Sequence, residues 1–105
     1  MTFEIREYVD GGQSPFADWF NTLDAVVAAR VDRYIRRLEA GNFGNVKPLA
    51  EGVAELRIDC GPGYRVYFGR DGKTLIILLE GGTKRHQQRD IEAALRRWRL
   101  YKSTR

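Results

Sequence analysis

Apolar and polar residues change their spacing several times along this chain, and each change marks an element. Phe3, Ile5 and Tyr8 interleave with Glu4, Arg6 and Glu7, which predicts a strand over Thr2 to Val9, ended by Gly11-Gly12. Ser14-Pro15 then reads as a helix start, with serine as the cap and proline at the first helical position. Phe16, Trp19, Phe20 and Leu23 follow at helical spacing and are expected to face a core. The apolar stripe Leu23, Val27, Val31, Tyr34, Ile35 and Leu38 predicts a longer helix from about Asp24 to Ala40. Arg30, Arg33, Arg36 and Arg37 fall on its other faces, and Gly41 is a natural stop.

Beyond that helix the period drops to two. Leu56 and Ile58 alternate with Glu55, Arg57 and Asp59, and Gly61-Pro62-Gly63 supplies a turn into a partner strand, Tyr64 to Phe68. Gly69 to Gly72 reads as a second turn, leading into the almost wholly apolar run Thr74 to Leu79. Such a run suits the interior of a sheet. Gly81-Gly82 is expected to break it, and a last helix runs from Gln87 to about Tyr101 with Ile91, Ala94, Leu95 and Trp98 inward. The order β-α-α-β-β-β-α predicts an α+β fold: a small, largely antiparallel sheet with two N-terminal helices and a C-terminal helix, the helices packed on one of its faces. No repeat or linker interrupts residues 1–105, so a single domain is expected.

Composition narrows the function classes. The chain is 43% hydrophobic and 30% charged, as expected of a folded domain. No stretch approaches the roughly 18 apolar residues of a membrane span. The N-terminal segment lacks the pattern of a signal peptide, which leads to the expectation of a cytoplasmic protein without membrane association. With one cysteine, Cys60, and one histidine, His86, neither an internal disulfide nor a standard zinc site is expected. Cys60 is assigned no role. Charge is unevenly spread: residues 1–81 carry ten basic and twelve acidic side chains, whereas residues 82–105 carry eight and two. The basic end points to a polyanion or to an acidic protein partner, against the plainer alternative of a solvated basic helix.

Alternation also decides which side chains share a face. Pairing the strands across Gly61-Pro62-Gly63 gathers Glu55, Arg57, Arg65 and Tyr67 on one side, expected to be exposed, opposite Leu56, Ile58, Val66 and Phe68. Two arginines, a tyrosine and a carboxylate suit a phosphate and a stacked base; they equally suit a salt-bridged outer face. Lys47 enters the sheet from an extended segment, and Lys84, Arg85 and His86 occupy the strand-to-helix loop. These are either converging cations with one imidazole for proton transfer, or solvated loop residues. Trp19 and Trp98 are read as core, and Tyr64 and Tyr67 can also be ordinary strand residues. Glycine-rich phosphate loops, nucleophile elbows and paired metal carboxylates are missing, so an enzyme made of these parts needs no cofactor and works with cations, hydroxyls and an imidazole. RNA cleavage fits that inventory, because the nucleophile is the RNA's own 2′-hydroxyl.

Two blocks, KPLAEGVAELRIDCGPGYRVYF (47–68) and LLEGGTKRHQQRDIEAAL (78–95), resemble the RelE/ParE superfamily of bacterial toxins, closest to the HigB-like, phage-derived addiction module killer branch. The resemblance runs from the S-P-F-x-x-W-F helix start to the last helix. It implies a small twisted sheet with two N-terminal helices, and an operon-encoded antitoxin as partner. It further implies a metal-independent endoribonuclease that cuts mRNA on the ribosome. ParE-type members instead inhibit gyrase, and an inactive homologue would act through antitoxin binding alone. By position, Arg65 matches the family's phosphate-binding arginine, and Lys84 or Arg85 its second cation. Lys47, Arg57 and Arg89 are assigned to RNA binding. The RelE-type catalytic tyrosine has no counterpart among Gln87, Gln88, Arg89, Asp90 and Ile91, so His86 or Tyr67 would have to move the proton.

Overall fold

A computed structural model describes residues 2–104. Its elements are β1 (Glu4–Glu7), α1 (Pro15–Phe20), α2 (Ala25–Glu39), β2 (Val46–Ala50), β3 (Val53–Ile58), β4 (Tyr64–Asp71), β5 (Leu75–Thr83), a 3₁₀ turn (Lys84–His86) and α3 (Gln87–Thr104). The helix starts follow from local chemistry. Ser14 Oγ accepts from the Ala17 amide at 3.0 Å, with Pro15 opening α1, and Asp24 Oδ1 accepts from the Val27 amide at 3.0 Å to open α2. In α2 the predicted stripe buries Val31, Ile35 and Leu38.

The strands form one sheet in the order β1-β5-β4-β3-β2. β1 runs parallel to β5, and every other neighbouring pair is antiparallel. The largely antiparallel α+β architecture is therefore as the sequence predicts. The extended segment around Lys47 is itself the edge strand β2, and Pro48, which cannot donate to a ladder, sits on that edge.

Helices cover both faces, not one. Phe3, Leu56, Ile58, Val66, Phe68, Ile76 and Leu78 pack with Phe16 of α1 and Val31, Ile35 and Leu38 of α2. Val53, Tyr67, Ile77 and Leu79 face the other way, against Ala94 and Trp98 of α3. The period-two pattern sorted Leu56, Ile58, Val66 and Phe68 onto one face and Tyr67 onto the other correctly. It carried no information on what covers a face, and the Glu55/Arg65/Tyr67 side lies under α3.

Gly69, Gly81 and Gly82, expected to turn or break the chain, do other work, while Gly72 (φ +71°) keeps its place in the turn. β4 continues through Gly69 to Asp71, and β5 continues through Gly81 and Gly82 to Thr83. A side chain at Gly69 would overlap the Trp98 ring, one at Gly81 the Trp19 ring, and one at Gly82 the Asp90 carboxylate. Each glycine thus lets a helix side chain approach the backbone closely. A bulge makes this possible: Tyr67 faces Glu80 and Phe68 faces Leu78, so Leu79 is the extra residue. Leu79 packs in the α3-side cluster, and Glu80 bonds Arg97 of α3. The alternation resumes with Gly81 toward α1 and Gly82 toward α3.

Candidate active site

Register brings the predicted residues into two adjacent rows on the α3 side. One row crosses the sheet as Lys47, Glu55, Tyr67 and Glu80; the next holds Arg57, Arg65 and Gly82. Glu55 is the hub and is wholly buried. Its Oε1 accepts from Arg57 Nε at 2.9 Å, and Arg65 Nε pairs with the same oxygen at 3.2 Å. That second contact is an ion pair without hydrogen-bond alignment, and Arg65 Nε makes no aligned bond elsewhere. Oε2 accepts from Gln87 Nε2 at 2.9 Å. The salt-bridged reading of this face holds for both arginines; the expectation that the face is exposed does not. Arg65 is only 6% accessible, while Arg57 keeps an accessible side chain.

Arg65 nevertheless reaches solvent at one end. Its Nη1 donates to the Tyr64 carbonyl at 3.1 Å and lies 3.6 Å from Asp59 Oδ1. There it lines a groove of about 420 Å³ between the turn 59–63 and Lys84. The groove is held open by a tight junction: the Lys84 amide donates to the Gly63 carbonyl at 2.8 Å. Gly63 has φ +78°, and a Cβ there would sit 3.4 Å from Lys84 Cβ and 3.5 Å from Arg65 Nη1. These are ordinary contact distances, so it is the positive φ that favours glycine here. Half-buried Cys60 lines the same groove.

The remaining candidates divide. Lys47 is exposed in the row of Glu55, and Arg85, His86 and Arg89 are exposed on the 3₁₀ turn and the first turn of α3, outside the groove lining. Tyr67 is fully buried, and its hydroxyl has no hydrogen-bond partner. Burial, reinforced by the carboxylates of Glu55 and Asp90, pushes its ionisation well above the ordinary tyrosine range. A residue so placed neither stacks on a base nor touches a phosphate, which corrects its outward assignment.

Sequence reasoning missed four contributors: Gln87, Asp59, Gly63 and Asp90. Asp90 is buried, its Oδ2 is without a partner, and it occupies the space above Gly82. Burial, then Glu80, raises its carboxyl pKa, with the charges of Arg89 and His86 opposing. The available signal was the adjacency of Gly81-Gly82, whose missing side chains imply close neighbours. Among the described residues no group of three or more His, Cys, Asp or Glu is placed to hold a metal ion, and no helix is long and apolar enough to cross a membrane.

Comparison with known proteins places this arrangement. Residues 18–99 match the family described as phage-derived protein Gp49-like (DUF891), a span that includes the hub, the groove and most of α3. The chain is also 45% identical, over 95 residues, to an uncharacterized protein of Haemophilus influenzae, covering 90% of this chain and 91% of that one. The chain belongs to the phage-derived Gp49-like family, which is associated with addiction-module killer toxins.

Proposed function

We propose that this protein is the toxin of a toxin–antitoxin pair, a RelE/ParE-type and HigB-like endoribonuclease that cuts ribosome-bound mRNA without a metal and is neutralised by a cognate antitoxin. The observation that carries this reading is the juxtaposition of Arg65 and Lys84 on one groove, with Arg65 held from behind by Glu55. Arg65, fixed before the substrate arrives, and Lys84 beside it are suited to the charge that builds on the phosphoryl oxygens when a 2′-oxygen attacks phosphorus. In that step the 2′-hydroxyl gives up its proton as its oxygen bonds to phosphorus, and the 5′-oxygen leaves, taking up a proton. The products are a cyclic phosphate and a 5′-hydroxyl end.

His86 is the group assigned to proton transfer, because an imidazole can both accept and donate a proton. Arg65 stabilises the scissile phosphate, Arg85 adds a contact from the turn, and Lys84 holds a neighbouring phosphate or eases ionisation of the 2′-hydroxyl. Lys47, Arg57 and Arg89 extend the cationic surface along the RNA. Tyr67 has no part in the chemistry.

The test is brief induction in cells, with new RNA 5′ ends mapped and DNA supercoiling measured in the same culture. Wild type should create new ends, and Arg65→Ala should reduce their rate of formation by about 10²–10³ while still binding the antitoxin. Unchanged RNA with altered supercoiling would replace this reading with the gyrase-inhibitor one.

A further inference from the structure

We propose that the two carboxylates flanking Arg65 have opposite roles: Glu55 positions the guanidinium, and Asp59 holds the place that a substrate phosphate takes. The proposal deepens the ribonuclease reading and rests on it. Both carboxylates lie on the same side of the strand that pairs with Arg65, Glu55 within β3 and Asp59 just past its end. Their surroundings differ completely. Glu55 is 0% exposed and is gripped from three elements, by Arg57 of β3, Arg65 of β4 and Gln87 of α3. A buried carboxylate with three partners cannot shift without leaving charge uncompensated, so it fixes the inner edge of Arg65. The Asp59 side chain is 76% exposed and approaches Nη1 at 3.6 Å, too far for a hydrogen bond.

An exposed ion pair of this kind is weak and easily displaced. A phosphate oxygen entering the groove, which Asp59, Arg65 and Lys84 all line, meets the same Nη1. Asp59 then swings into solvent, and Arg65 exchanges a loose carboxylate for a phosphate without moving. Preorganisation comes from Glu55; selection against weakly bound anions comes from Asp59. Removing the two charges should therefore act in opposite directions.

The experiment titrates inorganic phosphate into ¹⁵N-labelled protein and follows the Arg65 Nε–Hε resonance, with its side-chain order read from ¹⁵N relaxation. Asp59→Asn should keep Arg65 ordered and tighten phosphate binding up to about fivefold. Glu92→Gln makes the same charge change on the exposed side of α3 and should leave that affinity unaltered. Glu55→Gln should release Arg65 into motion and lower RNA cleavage by about 10²-fold. Because Glu55→Gln leaves buried Arg65 uncompensated and can fail to fold, Gln87→Ala serves as the second variant: it keeps both charges and should give a smaller loss of Arg65 order. Full Arg65 order in a folded Glu55→Gln and in Gln87→Ala would overturn the positioning role. Phosphate binding no tighter in Asp59→Asn, or equally tighter in Glu92→Gln, would overturn the place-holding role. If Arg65 and phosphate behave as stated but wild type cuts no RNA in cells, the two roles stand and the ribonuclease reading falls.

Discussion

On the side of α1 and α2, Leu56, Ile58, Val66 and Phe68 of β3 and β4 lie in a cluster of apolar side chains. One residue along on the same strands, Glu55, Arg65 and Tyr67 meet α3 in a layer that mixes aromatics with buried charge. The first side gains from apolar surface removed from water, and any side chain of the right size serves. The second bears the cost of burying a carboxylate and a guanidinium, offset by the pairing of each with the other. Among the described residues it also leaves three buried polar atoms, Arg65 Nε, Tyr67 Oη and Asp90 Oδ2, without a hydrogen-bond partner. The lesson is a division between faces: one supplies stability, and the other uses some of it to hold charges in fixed places.

The adjacent glycines of β5 give the largest test of that division, since Gly81 faces Trp19 and Gly82 faces Asp90. Gly81→Ala drives a methyl into a rigid indole and should destabilise by about 1–3 kcal/mol or more in urea unfolding. Gly82→Ala meets only the end of a short carboxylate side chain, so it should cost less stability but move Asp90 and the start of α3, lowering activity more than its stability loss explains. Equal stability losses for the two variants would erase the distinction between faces.

A second test uses pH. The folded pKa of Asp90 stands above the ordinary value of 3.8, raised chiefly by burial. Between the unfolded and folded values the native state binds more protons than the unfolded one, so this group makes stability fall as pH rises through that interval. Asp90→Asn cannot titrate and should flatten that part of the stability curve, giving a variant that gains on wild type as pH increases above about 4. Parallel curves for the two proteins would show that Asp90 is not held in a costly charged state.

Tyr67→Phe should have the smallest effect. It removes a buried hydroxyl that has no partner, so the unfolding free energy from urea titration should stay within about 1 kcal/mol of wild type, and RNA cleavage should not change. A loss of cleavage in a fully folded Tyr67→Phe protein would restore the tyrosine to the chemistry and sharpen the comparison in the other direction.

Much of this was legible along the chain. The caps Ser14 and Asp24, the stripe of α2 and the alternation of β3 and β4 are local effects that involve neighbours a few residues apart. Arg65, with Lys84 or Arg85, could be nominated by resemblance to the family's two cationic positions; that the Lys84 amide bonds the Gly63 carbonyl is seen only in the structure. Gln87 and Asp90 could not be nominated, because nothing in their own segment signals a buried partner on β3 or β5.

The sequence by itself determined the three helices, the antiparallel meander of β3, β4 and β5 and the sorting of the β3 and β4 side chains into two sets, because hydrogen-bonded periods and cap chemistry act within short stretches; it left β2 as an extended segment. Tertiary structure alone decided that α3 crosses to the opposite face from α1 and α2, that three strand glycines receive Trp98, Trp19 and Asp90, and that the polar set is covered rather than bathed. Those outcomes depend on which surface a helix reaches after the chain has turned, and on a single bulged residue, Leu79, that resets the alternation of β5. Burial then converts Glu55 from one charge among many into the group that holds Arg65, since only in a low-dielectric layer does each charge require its partner.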